Sequence, residues 1–316
     1  MKIKKILAAV TAIALGASLC GCSGGESADS ADKPLIITTI FPAYDFARQV
    51  FGDTAEVRML LKPGQESHSY DPSAKDIVEI NGCDLFVYNG GESDQWVESV
   101  LQAAPDVETF RMTDAVSLLD EEHSEGMQEE EHDHADGDEE EYDEHVWTSP
   151  DNAAAIVRAL GSRAKALFPD SAAELDSNTE SYAAQIGKID GRLKELLDEE
   201  ERYFIFGDRF PLLYFFKHYG LNYYAAFPGC GSETEPSAQT VTFLLDKLGQ
   251  PDAVKAVFCI ELSGRKLADV LAEDSGLDVV EFHSCHNITA DDFAAGETYV
   301  SLMERNLQTL EKVLVD

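Results

Sequence analysis

Apolar and polar positions along the chain fall into short runs that alternate between two periods. Leu35 to Ile40 is a compact, β-branched apolar run of the kind that forms a buried parallel strand, and Phe41-Pro42 interrupts it. Phe46, Val50 and Phe51 then share one helical face over 44–51. Val57 to Leu61 predicts a second strand, 62–72 a loop bounded by Pro and Gly, and Ser73 caps a helix reaching about Asn81. Leu85–Tyr88 reads as a strand, Gln95–Ala103 as a helix and Val107–Arg111 as a fourth strand. Such alternation of strand and helix describes an α/β lobe with a parallel sheet.

The pattern changes once and then resumes. A helix over 151–168, capped near Ser149 or Asp151, precedes a longer one from Pro169 to about Glu200. In the longer one Leu175, Thr179, Tyr182, Ile186, Ile189, Leu193 and Leu196 recur every three or four residues, a narrow apolar stripe on a polar rod. The second half repeats the first: strands at 203–206, 223–227, 254–260 and 279–282, helices at 211–219, 237–248, 265–275 and about 298–314. The expected architecture is two similar α/β lobes, 34–168 and 202–316, joined by one long rigid helix within 169–201.

Between the fourth strand and the 151–168 helix, no period fits. Residues 120–144 hold fifteen carboxylates, no Lys or Arg, and His123, His132 and His134, with His145 directly after. Like charges without apolar partners cannot build a core, so the segment predicts a solvated loop. Imidazoles set among carboxylates suit zinc and similar cations, so the loop is expected to capture metal. With 60 acidic against 24 basic residues and a formal charge of −36, the chain lacks the basic footprint of a nucleic-acid binder.

Residues 1–22 read as a lipoprotein signal: Lys2, Lys4 and Lys5, an apolar run from Ile6 to Leu19, then Gly21-Cys22, with Cys22 as the residue to be lipidated. Residues 23–33 form a flexible tether. The expectation is an extracytoplasmic protein held at the outer face of the cell membrane. Such a location permits disulfides, and Cys230 and Cys285, expected at the same sheet edge, are a candidate pair.

Ligands of α/β proteins bind at the carboxyl ends of strands. There the chain places His68, and in the second half Asp208, His283 and His286; His145, just before a helix, can join them. A cleft lined by His68 and His145 from one side and by Asp208, His283 or His286 from the other would hold a divalent cation, with Glu66 also within reach. A lone histidine in a loop is more often a surface or hydrogen-bonding residue, and Asp208 could instead pair with Arg209 or cap a helix. It is the convergence of several ligand types that argues for a site.

These residues carry a family resemblance. Thr38 to Phe46, Pro63-Gly-Gln-Glu-Ser-His-Ser-Tyr-Asp-Pro72 and Asp143-Glu-His-Val-Trp-Thr-Ser-Pro150 are similar to the opening strand and two ligand motifs of zinc/manganese-type substrate-binding lipoproteins of metal ABC transporters. A His-rich acidic insertion just before the second motif resembles the zinc-type members. The resemblance implies two lobes joined by a rigid helix, a metal between them, and a non-enzymatic monomer that passes its ion to a permease and its ATPase. It assigns His68 and His145 as ligands. In the second lobe the chain departs from the pattern, with Asp208 where many relatives have His and His283 where many have Asp, so the implied set is His68, His145, Asp208 and His283. Zn2+ is the first choice, with Mn2+ or Fe2+ as alternatives. A zinc hydrolase would need a general base such as Glu66 or Glu233, and no metallohydrolase motif such as HExxH accompanies them. An adhesin with a structural metal is the third reading.

Overall fold

In the computed structural model, residues 33–128, 142–229 and 235–315 are described. Eight strands among them form two sheets. Strands β1 (Leu35–Thr38), β2 (Glu56–Met59), β3 (Leu85–Tyr88) and β4 (Thr109–Arg111) make the first, in the order β2-β1-β3-β4. Strands β5 (Tyr203–Phe210), β6 (Asn222–Pro228), β7 (Val257–Cys259) and β8 (Val279–Glu281) make the second, in the order β6-β5-β7-β8. All pairings are parallel, so each half of the chain repeats one topology. Every strand therefore delivers its following loop to one edge of its sheet, where the chemistry of open α/β sheets collects.

Local chemistry accounts for the helix starts. Helix α1 (Phe41–Phe51) begins at the Phe-Pro pair that ends the first apolar run, because proline's missing N–H costs nothing in a first turn. Helix α2 (Ala74–Asn81) opens on a capping box: Ser73 accepts from the Asp76 amide while Asp76 accepts from Ser73. Helix α3 spans Gln95–Ala103. Helix α4 (Pro150–Leu167) is capped by Ser149, which accepts from the Asn152 amide.

Helix α5 (Ala172–Leu197) is the long one, 26 residues and about 39 Å at 1.5 Å per residue. Its stripe buries Leu175, Thr179, Tyr182, Ala183, Ile186, Ile189, Leu193 and Leu197. Helices α6 (Leu213–Tyr219), α7 (Ala238–Leu248), α8 (Lys266–Ser275) and α9 (Ala290–Ala295) follow, and α10 (Tyr299–Val315) closes the chain. The Tyr299 amide and the Tyr182 hydroxyl both donate to the buried Asp45 carboxylate, which fastens α10 and α5 to α1. One hydrophobic core runs from Ile36 and Phe46 through Tyr182 and Leu193 to Phe206 and Phe258, so both sheets and the long helix share it. From Pro34 onward the chain is one compact unit.

Two elements and one cysteine pairing depart from the sequence reading where it bears on the site. Strand β5 continues past Phe206 to Phe210, with a register shift against β6 between Phe206 and Arg209, so Gly207-Asp-Arg is strand and not loop. Gly207 fits because a Cβ there would meet the Ala268 backbone at 2.7 Å. Helix α9, unsignalled by any apolar period, is capped by Thr289, whose hydroxyl accepts from the Asp292 amide. The candidate Cys230–Cys285 disulfide is not seen: Cys285 is a free, fully buried thiol whose Sγ faces the His283 carbonyl, and Cys230 lies outside the described residues.

The feet of the acidic loop are fixed. The Asp143 amide donates to the Leu119 carbonyl at 2.9 Å. The Tyr214 hydroxyl of α6 accepts from the Leu119 amide and donates to the Asp143 carbonyl. Residues 121–128 lie on the second lobe, with Gln128 N donating to Ala226 O at 2.8 Å and Lys217 paired with Glu122 at 2.8 Å. His123 is exposed there; His132, His134 and the lipidation candidate Cys22 lie outside the described residues. Among the described residues no helix is long and apolar enough to cross a membrane.

Candidate metal centre

His68 stands in the loop after β2. Glu66 Oε1 accepts from the Ser67 and His68 amides at 3.0 and 3.3 Å, so that carboxylate shapes the turn carrying the ring. His145 follows the acidic loop and is fully buried. Asp143 Oδ1 accepts from its amide at 2.7 Å and lies 3.1 Å from its Nδ1, which fixes the ring and leaves Nε2 for a ligand. That Nε2 is buried with no hydrogen-bond partner.

His286 comes from the loop after β8, which the buried Glu261 carboxylate organises by accepting from Ser284 and His286. Asn287 joins this loop to the His68 loop across the cleft: its Oδ1 accepts from the Gly64 amide at 3.0 Å and its Nδ2 donates to the Gln65 carbonyl at 2.7 Å. Ser67 Oγ lies 2.9 Å from His286 Nε2.

The structure thus brings three imidazoles together. One ring nitrogen from each of His68, His145 and His286 lies within 4.8 Å of the other two. Nitrogens around a tetrahedral zinc stand roughly 3.3 Å apart at bonds of about 2.0–2.1 Å, so a modest inward shift closes the set. Burial pushes the His68 pKa down against the opposing charge of Glu144, and pushes that of His286 well down, with His145 and His68 adding to the effect. Burial lowers His145 too, but the charge and hydrogen bond of Asp143 outweigh it, and its pKa is raised.

Asp208 and His283, both expected in the ligand set, stand elsewhere. Asp208 Oδ2 accepts from the Ile260 amide at 3.0 Å and Oδ1 from the Arg209 amide at 2.8 Å, so the carboxylate caps strand ends. It lines a separate cavity of about 350 Å³ with Glu235 and Lys266. His283 is held by Asn306, which accepts from its amide and donates to its carbonyl, while its Nδ1 accepts from the Cys285 amide at 2.9 Å. The positive φ of Cys285, 60°, turns the chain between the two histidines. Glu66, besides shaping its turn, faces Arg209 at 3.7 Å.

Several residues around the centre carried no signal of their own in the sequence. Trp147 packs edge-on to both His145 and His286, with ring centroids 5.5 and 5.2 Å away. Arg209 lies close enough for its charge to act on His68 and His286. Glu144 Oε1 lies 4.0 Å from His68 Nδ1 while Oε2 accepts from Ser93.

Known proteins resemble this chain over most of its length. A zinc-binding lipoprotein of Streptococcus pneumoniae, AdcA, is 32% identical over 98% of this chain, although the chain spans only 60% of that protein's length. The zinc-uptake protein ZnuA of Bacillus subtilis is 28% identical, with 97% of this chain and 96% of that protein covered. The Zn(II)-bound ZnuA-like domain of Streptococcus pneumoniae AdcA superposes with a TM-score of 0.74 at 28% identity, covering 90% of this chain and all of that domain. The family model described as zinc-uptake complex component A, periplasmic, matches residues 36–313, and the chain belongs to that ZnuA family.

Proposed function

We propose that this protein captures a divalent metal ion, zinc first, between its lobes at His68, His145 and His286, and delivers it to an ABC permease and its ATPase for import. The observation that carries this reading is the buried, unpartnered Nε2 of His145 inside a group of three imidazole nitrogens. Imidazole donors without a carboxylate in the group suit zinc better than manganese, which favours oxygen ligands. The relatives AdcA and ZnuA are a zinc-binding lipoprotein and a zinc-uptake protein, which supports the same choice.

The rest of the proposal concerns the protein's setting. Residues 1–22 direct export and lipidation at Cys22, 23–33 tether the protein to the outer face of the membrane, and 34–168, 169–201 and 202–316 act as lobe, link and lobe. The protein works as a monomer and catalyses no reaction. His123, His132 and His134 in the acidic loop bind ions more weakly and raise their local concentration at the cleft.

Competition of the metal-stripped protein against a chromophoric zinc chelator, repeated with Mn2+ and Fe2+, tests this. One tight zinc site that survives deletion of residues 121–141, together with weaker sites lost on deletion, is expected. Tight binding that disappears with the loop, or that persists in a His145→Ala, His286→Ala double variant, would refute the cleft site.

A further inference from the structure

Three imidazoles occupy three of the four positions of a tetrahedral zinc. Among the described residues no carboxylate stands within the group formed by His68, His145 and His286. The nearby carboxylates already have work: Glu66 Oε1 holds two amides, Asp143 orients His145, and Glu144 accepts through Oε2 from both the amide and the hydroxyl of Ser93 at 3.0 Å while its Oε1 faces His68 Nδ1 at 4.0 Å.

What the second lobe brings to the centre is a cation. Arg209, near the end of β5, has a side chain only 15% exposed and faces Glu66 on the His68 turn, while the carbonyl of the next residue, Phe210, and the His145 ring both crowd Gly229. Its Nε is buried with no hydrogen-bond partner. Its ion pair with Glu66, Nη1 to Oε2, is 3.7 Å long, beyond hydrogen-bond range. A fixed positive charge repels an incoming bare cation, so its place beside a cation centre needs a reason. The guanidinium fork, with donors to spare, matches a planar oxyanion in geometry and charge.

Resting on the metal-receptor reading, we infer that the fourth position of the bound metal is filled by a small planar oxyanion, a carboxylate or bicarbonate, held there by Arg209. One anion oxygen bonds the metal and the other accepts from the guanidinium. The transported species at the moment of capture is then a metal–anion pair, and Arg209 changes from an obstacle to cation entry into a reader of the anion. Glu66, 3.7 Å from Nη1, is the guanidinium's neighbour on the His68 turn.

The test is zinc affinity of the purified, metal-stripped chain, measured by chelator competition at fixed pH and ionic strength. Perchlorate is the background salt; acetate or bicarbonate is added in separate series, with correction for zinc bound by the anion in solution. An increase of about tenfold with one or both anions is expected, the scale of one charge-assisted contact. A parallel change in the visible spectrum of the Co2+-loaded protein reports the exchange of its fourth ligand. Response to acetate alone assigns the carboxylate, and response to bicarbonate alone assigns the carbonate species. Arg209→Gln should lose the response; should that variant not fold, Arg209→Lys, which keeps the charge without the fork, should show a reduced one. Tight zinc binding that ignores both anions, with an unchanged Co2+ spectrum, would overturn the inference and leave the receptor reading standing. So would an equal response in wild type and Arg209→Gln. Absence of tight zinc binding under every condition would overturn both.

Discussion

The Trp147 indole N–H donates to the Ser284 carbonyl at 3.0 Å, which ties the segment two residues after His145 to the segment two residues before His286. Tyr299 adds a second tie, its hydroxyl donating to the Trp147 carbonyl at 2.9 Å. The spacing of two of the clustered imidazoles, from distant parts of the chain, therefore depends on one buried indole. Trp147→Phe keeps most of the packing but leaves the Ser284 carbonyl without its donor. The expected loss is about 1–3 kcal/mol in urea unfolding, accompanied by weaker zinc binding in chelator competition.

Asp143 acts on the proposed centre through His145. Asp143→Ala removes the acceptor that fixes the ring and its tautomer, and zinc affinity is expected to fall about 10–100-fold. Circular dichroism that matches the wild type would assign the loss to the ring's orientation. Unaltered affinity would show that the packing of Trp147 alone holds the imidazole.

The three imidazoles differ in how they meet protons. Burial keeps His68 and His286 below the ordinary histidine range, so both are neutral at pH 7, whereas the Asp143 charge raises His145 in spite of burial. Zinc must displace the His145 proton, so affinity is expected to fall about tenfold per pH unit below that raised pKa, and Asp143→Ala to move the onset of the fall to lower pH. Without metal the stability terms have opposite signs. The His145 contribution is present below its unfolded pKa and lost as pH rises through the folded value. The His68 and His286 contributions are present above their unfolded pKa and lost as pH falls below it. Zinc titrations at several pH values, with protons released measured by calorimetry in two buffers, check the assignment. A release that does not change on replacing Asp143 would contradict it.

Gly161 on α4 faces Thr179 on α5 so closely that a Cβ would collide with the threonine hydroxyl. Alanine ordinarily stabilises a helix interior by about 0.5–1 kcal/mol over glycine. Here Gly161→Ala has to push the long helix away from its neighbour, and a net destabilisation of about 1–3 kcal/mol is expected in urea unfolding. A gain in stability would show that the two helices can slide apart without cost.

Much of this architecture was legible because its signals are local. Ser73 and Ser149 each cap the helix that the sequence assigns to them, and the stripe from Leu175 to Leu193 predicts the buried face of α5. His68 and His145 stood out through their motifs, and both rings enter the centre. The second lobe was harder to read. Gly207-Asp-Arg has the composition of a loop, yet the register shift in β5 keeps it in the sheet and turns Asp208 to the Ile260 amide. His283 and His286 share one short segment, and which ring reaches the cleft depends on the left-handed turn at Cys285 and on the grip of Asn306. Neither leaves a periodic trace. Arg209 and Trp147 matter through contacts across the cleft, which no local pattern encodes.

Because a single core passes through both sheets and the long helix, there is no seam along which the molecule can part like a book. An ion held at the proposed centre would leave by displacement of a loop, not by parting of the lobes. Of the three rings, His145 is sealed in, while Ser67 and Asn287 fasten the loops of His68 and His286 to each other, and the His68 side chain is 20% exposed. In the proposed receptor, unloading would then require those two loops to shift together.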